Sequence, residues 1–505
     1  MTTRRTLLAA AGATTAVVAV GGGAAAAAPP SAAPQSAAQL GLAADPIAHL
    51  LRRATFGPTP ATLAEAARLG VDGWLDRQLA PEKISDAECD ALVARLPLAG
   101  ASIATVRAKL PVHSYEAVKQ LGRAGVARAA WSNRQLFESM AAFWANHLHV
   151  AAPSSGGWDS RADYDAQVLR KHSFGKFAEL LKASMRHPAM LTYLDNRSSI
   201  RTQPNENYAR ELMELHTVGL IYTEDDVKAA ARLLTGLTVA KDGGYAYDPS
   251  KHLAGAVEVL GFTDPNAAGD AGPLAFADYL ARHPATARRI ATKLCVRFVA
   301  DDAPASLVAR LAKIYLDNDT AVKPVLRALF TSPEFAAATG QKTRTPFEDL
   351  IATIRTLGLG PEKSGTGALD ALYHALVDIG HAPYRWGPPN GYPDVAPAWA
   401  SPSVFLLKCN WHLNLAAGWY PSTLTRPADL RKALVPTLPA TYGAFLDALA
   451  VRLVGTKLPA THTAAVLSVA GKLPTSPLTS SDKSLAGSLP YLVALVLDSP
   501  TFQLR

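Results

Sequence analysis

Apolar positions recur at helical spacing along most of the chain. Thr59-Pro60 has the form of an N-cap followed by a first-turn proline, and Leu63, Ala67, Leu69 and Trp74 lie in the run it opens. From Asn133 to His147, Leu136, Met140, Phe143 and His147 fall on one stripe, with Phe137 and Trp144 beside it. That pattern predicts a strongly amphipathic helix. Further helices are predicted over residues 174–183, 188–194, 204–217, 223–234, 284–299, 321–330, 347–357 and 369–379. Thr223 followed by Asp226 reads as a capping box at one of these starts. Alternating apolar and polar runs are scarce. One short hairpin is predicted over 237–247, with Asp242-Gly243-Gly244 as its turn. The expected class is mainly α: a large multi-helix globular protein with at most a short β-hairpin and one long loop. Leu329–Phe335 and Val496–Phe502 both close a helix with Ser-Pro-x-Phe. Two related lobes, about 46–345 and 346–505, would produce that echo, and so would convergent helix-stop chemistry.

The long loop is Gly380 to Pro402, with prolines 383, 388, 389, 393, 397 and 402. It also carries Tyr384, Trp386, Tyr392 and Trp399. Such a segment serves either as a binding surface, with these four rings as stacking platforms, or as a rigid wrap with the rings as plugs.

The N-terminus changes the picture of where the protein works. Arg4-Arg5 precedes Leu7-Leu8 and an Ala/Gly/Val run to Ala28, the form of a cleavable twin-arginine export signal over residues 1–28. An uncleaved anchor is the competing reading, but Ala and Gly are too weakly apolar to favour it. Residues 29–45 read as a disordered Pro/Ala/Ser spacer. The expected location is outside the cytoplasm: extracellular, periplasmic or on the cell wall. No membrane span is expected after signal removal. The formal charge of +8 includes Arg4 and Arg5, so the chain after the leader is near +6. Its basic residues are scattered, which argues against a nucleic-acid partner and leaves an envelope polymer as a partner. Three cysteines, Cys89, Cys295 and Cys409, exclude a disulfide-stapled scaffold and read as buried apolar thiols.

The chemistry concentrates in Pro204 to Thr217. Glu206, Arg210 and Glu214 are four apart, so a straight helix would carry them on one stripe as two ion pairs. Asn207 and Glu211 form a second stripe, and His216 a third with Ala209 and Met213. The candidate catalytic set is Glu206, Arg210, Glu211, Glu214, His216 and His147. A divalent metal is a candidate cofactor, with His147, Glu211, Glu214 and His216 as ligands. Glu211 and His216, five apart, would not share a face of an α-helix, so a metal would need a distant ligand such as His147. His147 reads equally as a core histidine donating to a carbonyl. His187 and His283 each precede a proline at a helix start and read as turn residues. Arg289, Lys293 and Arg297 form a basic row read as a solvated face, with an anion contact as the alternative. The chain has no His-Glu-x-x-His, no Gly-x-Ser-x-Gly and no phosphate-cradling Gly loop.

Several segments together resemble a bacterial family known as domain of unknown function 1800. They are His49–Gly57, Phe143–His147, His187–Asp195, Asn205–Gly219, Tyr222–Val227, Ala231–Gly236, His283–Ala287 and Ser332–Phe335. The resemblance covers roughly residues 46–505. It implies an exported, mainly bacterial protein, and, because family genes often adjoin one for a secreted alkaline-phosphatase-like protein, it suggests that protein as a partner or as a member of a shared pathway. It carries no established activity and no catalytic residues. The family's Gly-Trp pair in the loop is Gly391-Tyr392 here, and its His-Asp pair is reversed and split between Asp248 and His252. Two functions follow as expectations. One is an acid/base or metal-dependent hydrolase of an envelope polymer, with the charged helix at its site. The other is a non-catalytic polymer- or partner-binding scaffold of the cell surface. Convergence of Glu211, Glu214, His147 and His216 on one pocket would favour the first.

Overall fold

The computed structural model describes residues 45–154 and 156–505. The export signal and all of the spacer before Asp45 lie outside the described residues. Asp45 caps the first helix, Pro46–Ala54, by accepting from the Ile47 amide at 2.9 Å. The chain is mainly helical, and its helix starts follow the local chemistry. Thr59, Thr223 and Thr345 each close a capping box, opening Pro60–Gln78, Glu224–Leu233 and Pro346–Thr356. His187 and His283 are N-caps, their Nδ1 atoms accepting from Ala189 and Ala285 amides at 3.2 and 3.1 Å. That agrees with reading both as turn residues.

The predicted hairpin pairs Leu237–Val239 with Tyr245–Tyr247. A second hairpin, unforeseen, pairs Val257–Val259 with Phe262–Asp264. Its two-residue turn needs positive φ at both positions, and Leu260 and Gly261 supply +52° and +82°. Only one of the two is glycine, so the turn signal in the sequence is weak.

Two large apolar clusters hold the described residues together. The first draws on residues from Leu50 to Ala338. The second draws on Leu350 to Phe502, and also on Phe56, Leu92 and the Glu116–Trp131 helix. The boundary between clusters therefore does not follow the chain. The Gln135–His147 helix lies in the first cluster through Leu136, Met140 and Trp144, and its other side faces the long loop. Among the described residues no helix is long and apolar enough to cross a membrane. Cys89 and Cys295 are buried and Cys409 is half-buried; all three are free thiols, pushed up to about 12 by burial.

Between Gly380 and Ser401 the backbone forms no regular element except the short turn Ala396–Trp399. It is lashed across the Gln135–His147 helix. Asn146 Nδ2 donates to the Tyr392 carbonyl at 2.8 Å, and the Tyr392 amide donates to Asn146 Oδ1 at 2.6 Å. Gly391 makes this approach feasible: at φ +72° a Cβ there would sit 2.2 Å from the Asn146 carbonyl oxygen. The Ala152 amide donates to Tyr384 O at 2.8 Å and Tyr193 Oη to Gly387 O at 2.7 Å.

Candidate functional site

The charged helix divides its groups between surface and interior. It runs as an α-helix over Glu206–Glu211 and then widens into a π turn over Leu212–His216. The Thr217 hydroxyl donates to Leu212 O at 2.7 Å. The four-residue stripes read from the sequence therefore fail beyond Glu211. Arg210 makes two bonds to Glu224, at 2.7 and 2.8 Å, and a longer contact of 3.6 Å to Glu206. Glu214 instead accepts the Tyr222 hydroxyl at 2.5 Å. The second i,i+4 pair expected for Arg210 is absent from the ion pairs of the described residues.

His147 is buried at 3% exposure, and its ring is fully engaged. Nε2 donates to the His216 carbonyl at 3.0 Å, so Nδ1 is the lone-pair nitrogen, and Lys293 Nζ donates to it at 3.0 Å. His216 is buried with neither ring nitrogen partnered. Burial, then Lys293, drive its imidazole down to about 3. Glu211 is half-buried, and desolvation followed by Glu214 raises its carboxyl above the ordinary value. Among the described residues no three His, Cys, Asp or Glu gather as a metal would need. The metal set His147, Glu211, Glu214 and His216 thus does not form in this arrangement.

The raised carboxyl of Glu211 has a sign. A carboxyl that favours its proton in the fold is a destabilising charge once the pH exceeds its ordinary 4.5. Glu211→Gln is therefore expected to be neutral or stabilising at pH 7, by less than about 1 kcal/mol. Its advantage should shrink toward pH 4. Thermal melts at both pH values check this; a clear loss of stability at pH 7 would mean that Glu211 serves a buried ion pair after all.

An aromatic-walled cleft lies elsewhere, between the Gln135–His147 helix and the long loop, with about 970 Å³ of empty volume. Phe56, Phe143, Phe347, Tyr384 and Tyr392 supply its rings, and Ala141, Ala142 and Ala145 leave the space. None of Glu206, Arg210, Glu211, Glu214, His216 or His147 lines it. Of the four loop aromatics, Tyr384 and Tyr392 do. Trp386 and Trp399 stand beside them: the Trp386 and Tyr392 ring centres are 5.1 Å apart, and Trp399 stacks on His381 at 4.4 Å and 10°. All four rings are half-buried, their polar atoms largely held by the loop's own carbonyls, as in Trp399 Nε1 to Pro393 O at 2.9 Å. Wrap and binding surface are therefore not exclusive: the loop is pinned, and two of its rings face a cavity.

The cleft's charges were not foreseen. Glu138 meets Arg170 through two bonds of 2.7 Å. Burial would raise the Glu138 carboxyl, but Arg170 outweighs it and the carboxyl ends below its ordinary value. Arg170 and Asp165 come from a second π turn, Asp165–Arg170. Asp165 accepts from Tyr384 Oη at 3.4 Å, and the Arg161 guanidinium lies 4.2 Å over the Tyr384 ring. Arg297 meets Glu348 at 2.7 Å and Asp394 at 3.4 Å. The basic row on Pro284–Phe298 is thus not a solvated face: Arg297 is ion-paired, Lys293 is on His147, and Arg289 Nε donates to Leu215 O at 3.3 Å. His149 Nε2 donates to the Trp386 carbonyl at 2.7 Å, and burial takes its ring down to about 4. His381 is also taken down to about 4 by burial, so both imidazoles are neutral at pH 7. The sequence signal for this wall was slight: alanines 141, 142 and 145 on a helix that also buries Glu138 and half-buries Asn146.

These features define a mainly helical protein with an aromatic-walled cleft under a pinned proline-rich loop. The chain belongs to the family described as protein of unknown function, domain of unknown function 1800, matched over residues 49–504. No curated protein and no solved structure matches it.

Proposed function

We propose that this is a binding protein of the cell envelope whose cleft takes a ring-bearing segment of an envelope polymer, such as two or three sugar units. The observation that carries this reading is the cleft's lining. Aromatic rings, alanines and prolines supply its apolar wall, while each lining carboxylate already has a basic or hydroxyl partner within the fold. Committed ion pairs are poor general acids or bases, because proton transfer would leave the partner cation unpaired. Rings in a concave wall are good stacking surfaces. The hydrolase reading lacks comparable support, since the charged helix lies outside the cleft. The envelope setting rests on the twin-arginine leader.

Ala142 offers a clean test, because it lines the cleft yet is solvent-exposed. Ala142→Trp should fill the cleft without disturbing the core. Binding to purified cell-wall polysaccharide, measured by co-sedimentation, should fall about tenfold or more, with the melting temperature little changed. Undiminished binding by a folded Ala142→Trp protein would remove the cleft from this role.

A further inference from the structure

We infer that Lys293 is a nucleophilic amine, held by His147, that condenses with a small carbonyl compound bearing a carboxylate. The inference is independent of the polymer-binding reading. Its basis is the unusual partner of this lysine. A half-buried lysine is ordinarily matched with a carboxylate; among the described residues Lys293 has no ion pair, and its Nζ lies 3.0 Å from His147 Nδ1. The tautomer is determined by the other side of the ring. Nε2 carries the hydrogen because it faces the His216 carbonyl at 3.0 Å, so Nδ1 offers only a lone pair. An amine bonded through one of its hydrogens to Nδ1 has its own lone pair directed away from the imidazole.

The surroundings disfavour the ammonium form. From its own helix Lys293 faces Arg289, one turn earlier. From the Gln135–His147 helix it faces His147, and from the π turn His216; both rings are pushed down by burial and are neutral at pH 7. Glu214, the carboxylate on this side, acts on Arg289. Burial, then Arg289, bring the Lys293 ammonium down to about 7, so a large fraction is free amine at neutral pH. Lysines desolvated beside another cation are the nucleophiles that form Schiff bases.

The chemistry balances without an oxidant or reductant. The Nζ lone pair adds to the carbonyl carbon, a C–N bond forms, and the C=O π pair moves to oxygen. His147 Nδ1 takes a proton from the nitrogen and passes it to that oxygen, giving a carbinolamine; the second N–H proton follows the same route, the oxygen leaves as water, and the nitrogen lone pair closes the C=N bond. Arg289 lies one turn earlier on the same helix, its Nε engaged by Leu215 O. A carboxylate on the carbonyl compound would lie against it.

The probe is glyoxylate with cyanoborohydride at pH 7, added to the intact protein and read by peptide mapping. Lys293 should be labelled about tenfold or more faster than exposed Lys119 and Lys363. Its rate should level off above pH 7, whereas theirs should keep rising through pH 9. Lys293→Arg should abolish this fast adduct and leave labelling of Lys119 and Lys363 unchanged. Labelling of Lys293 no faster than that of Lys119, or a rate still rising in parallel with it at pH 9, overturns the inference. Replacing glyoxylate by acetaldehyde separates the two parts: equal rates would remove the role given to Arg289.

Discussion

Glu348→Gln is expected to destabilise the protein by roughly 3–5 kcal/mol, the usual cost of breaking a buried ion pair by removing one partner. Glu348 is 3% exposed and accepts from Arg297 at 2.7 Å and Arg505 at 2.6 Å. Burial alone would raise its carboxyl; Arg297 and Arg505 overcome that and hold it far below the ordinary value. Glutamine keeps the shape and the capping-box bond to the Thr345 amide, at 2.9 Å in the wild type. What it removes is the charge, leaving two buried guanidinium groups dependent on Asp394. Asp394 lies 3.4 Å from Arg297 and 3.9 Å from Arg505, and it also serves Lys342 at 3.1 Å. Denaturant unfolding gives the loss directly. Adding Arg505→Met to Glu348→Gln should recover part of it, since one unpaired charge goes. A loss below about 1 kcal/mol for Glu348→Gln would show that solvent reaches this network.

Asp349→Asn is the second large effect, of the same order, and it carries a pH signature. Asp349 is 1% exposed, 2.8 Å from His412 Nε2 and 3.0 Å from Lys408 Nζ. His412 Nδ1 is 2.7 Å from Asp498. Burial would lower the imidazole, but Asp349 and Asp498 hold it up to about 9. A histidine raised in the fold contributes stability that is complete below its ordinary 6.5 and is lost as pH rises through about 9. The Asp349 carboxyl, against a desolvation that would raise it, is held down to about 2 by Lys408 and His412. Its contribution is present above 3.8 and is lost as pH falls through about 2. Wild-type stability should therefore fall off between pH 6.5 and 9. In Asp349→Asn the alkaline loss should be smaller and complete at a lower pH, because His412 retains one carboxylate only and its folded value moves back toward 6.5. A variant whose stability runs parallel to wild type from pH 6 to 9 would show that Asp349 does not set the charge of His412.

Glu348 and Asp349 are neighbours in the chain, yet they serve two separate cationic clusters. Thr345-Pro346-x-Glu348 carries the capping signature, so the start of this helix was legible. That both carboxylates face inward was not. Their partners lie far away along the chain: Arg297 and Arg505 for one, Lys408, His412 and Asp498 for the other. The charged helix misled for a related reason. Its density of carboxylates was visible, but the π turn at Leu212–His216 is one shift in the hydrogen-bond ladder, which a helical stripe cannot reveal. His147 was legible as a core histidine on an apolar stripe, and it does donate to a carbonyl.

By itself the sequence determined the helical class, the approximate starts of the helices it predicted, the first hairpin, the family and the place of the long loop; the Glu116–Trp131 helix and the helices after residue 379 were not foreseen. Each of these rests on local rules: apolar period, caps, prolines and turn glycines act within a few residues. Tertiary structure alone decided that Asn146 and Gly391–Tyr392 clasp the loop, that Ala142 opens on a cleft, and that Lys293 meets His147 without a carboxylate. Such pairings join residues up to hundreds of positions apart, as with Asn146 and Tyr392 at 246. They are selected by the free energy of burying and matching polar groups together, which no single segment carries.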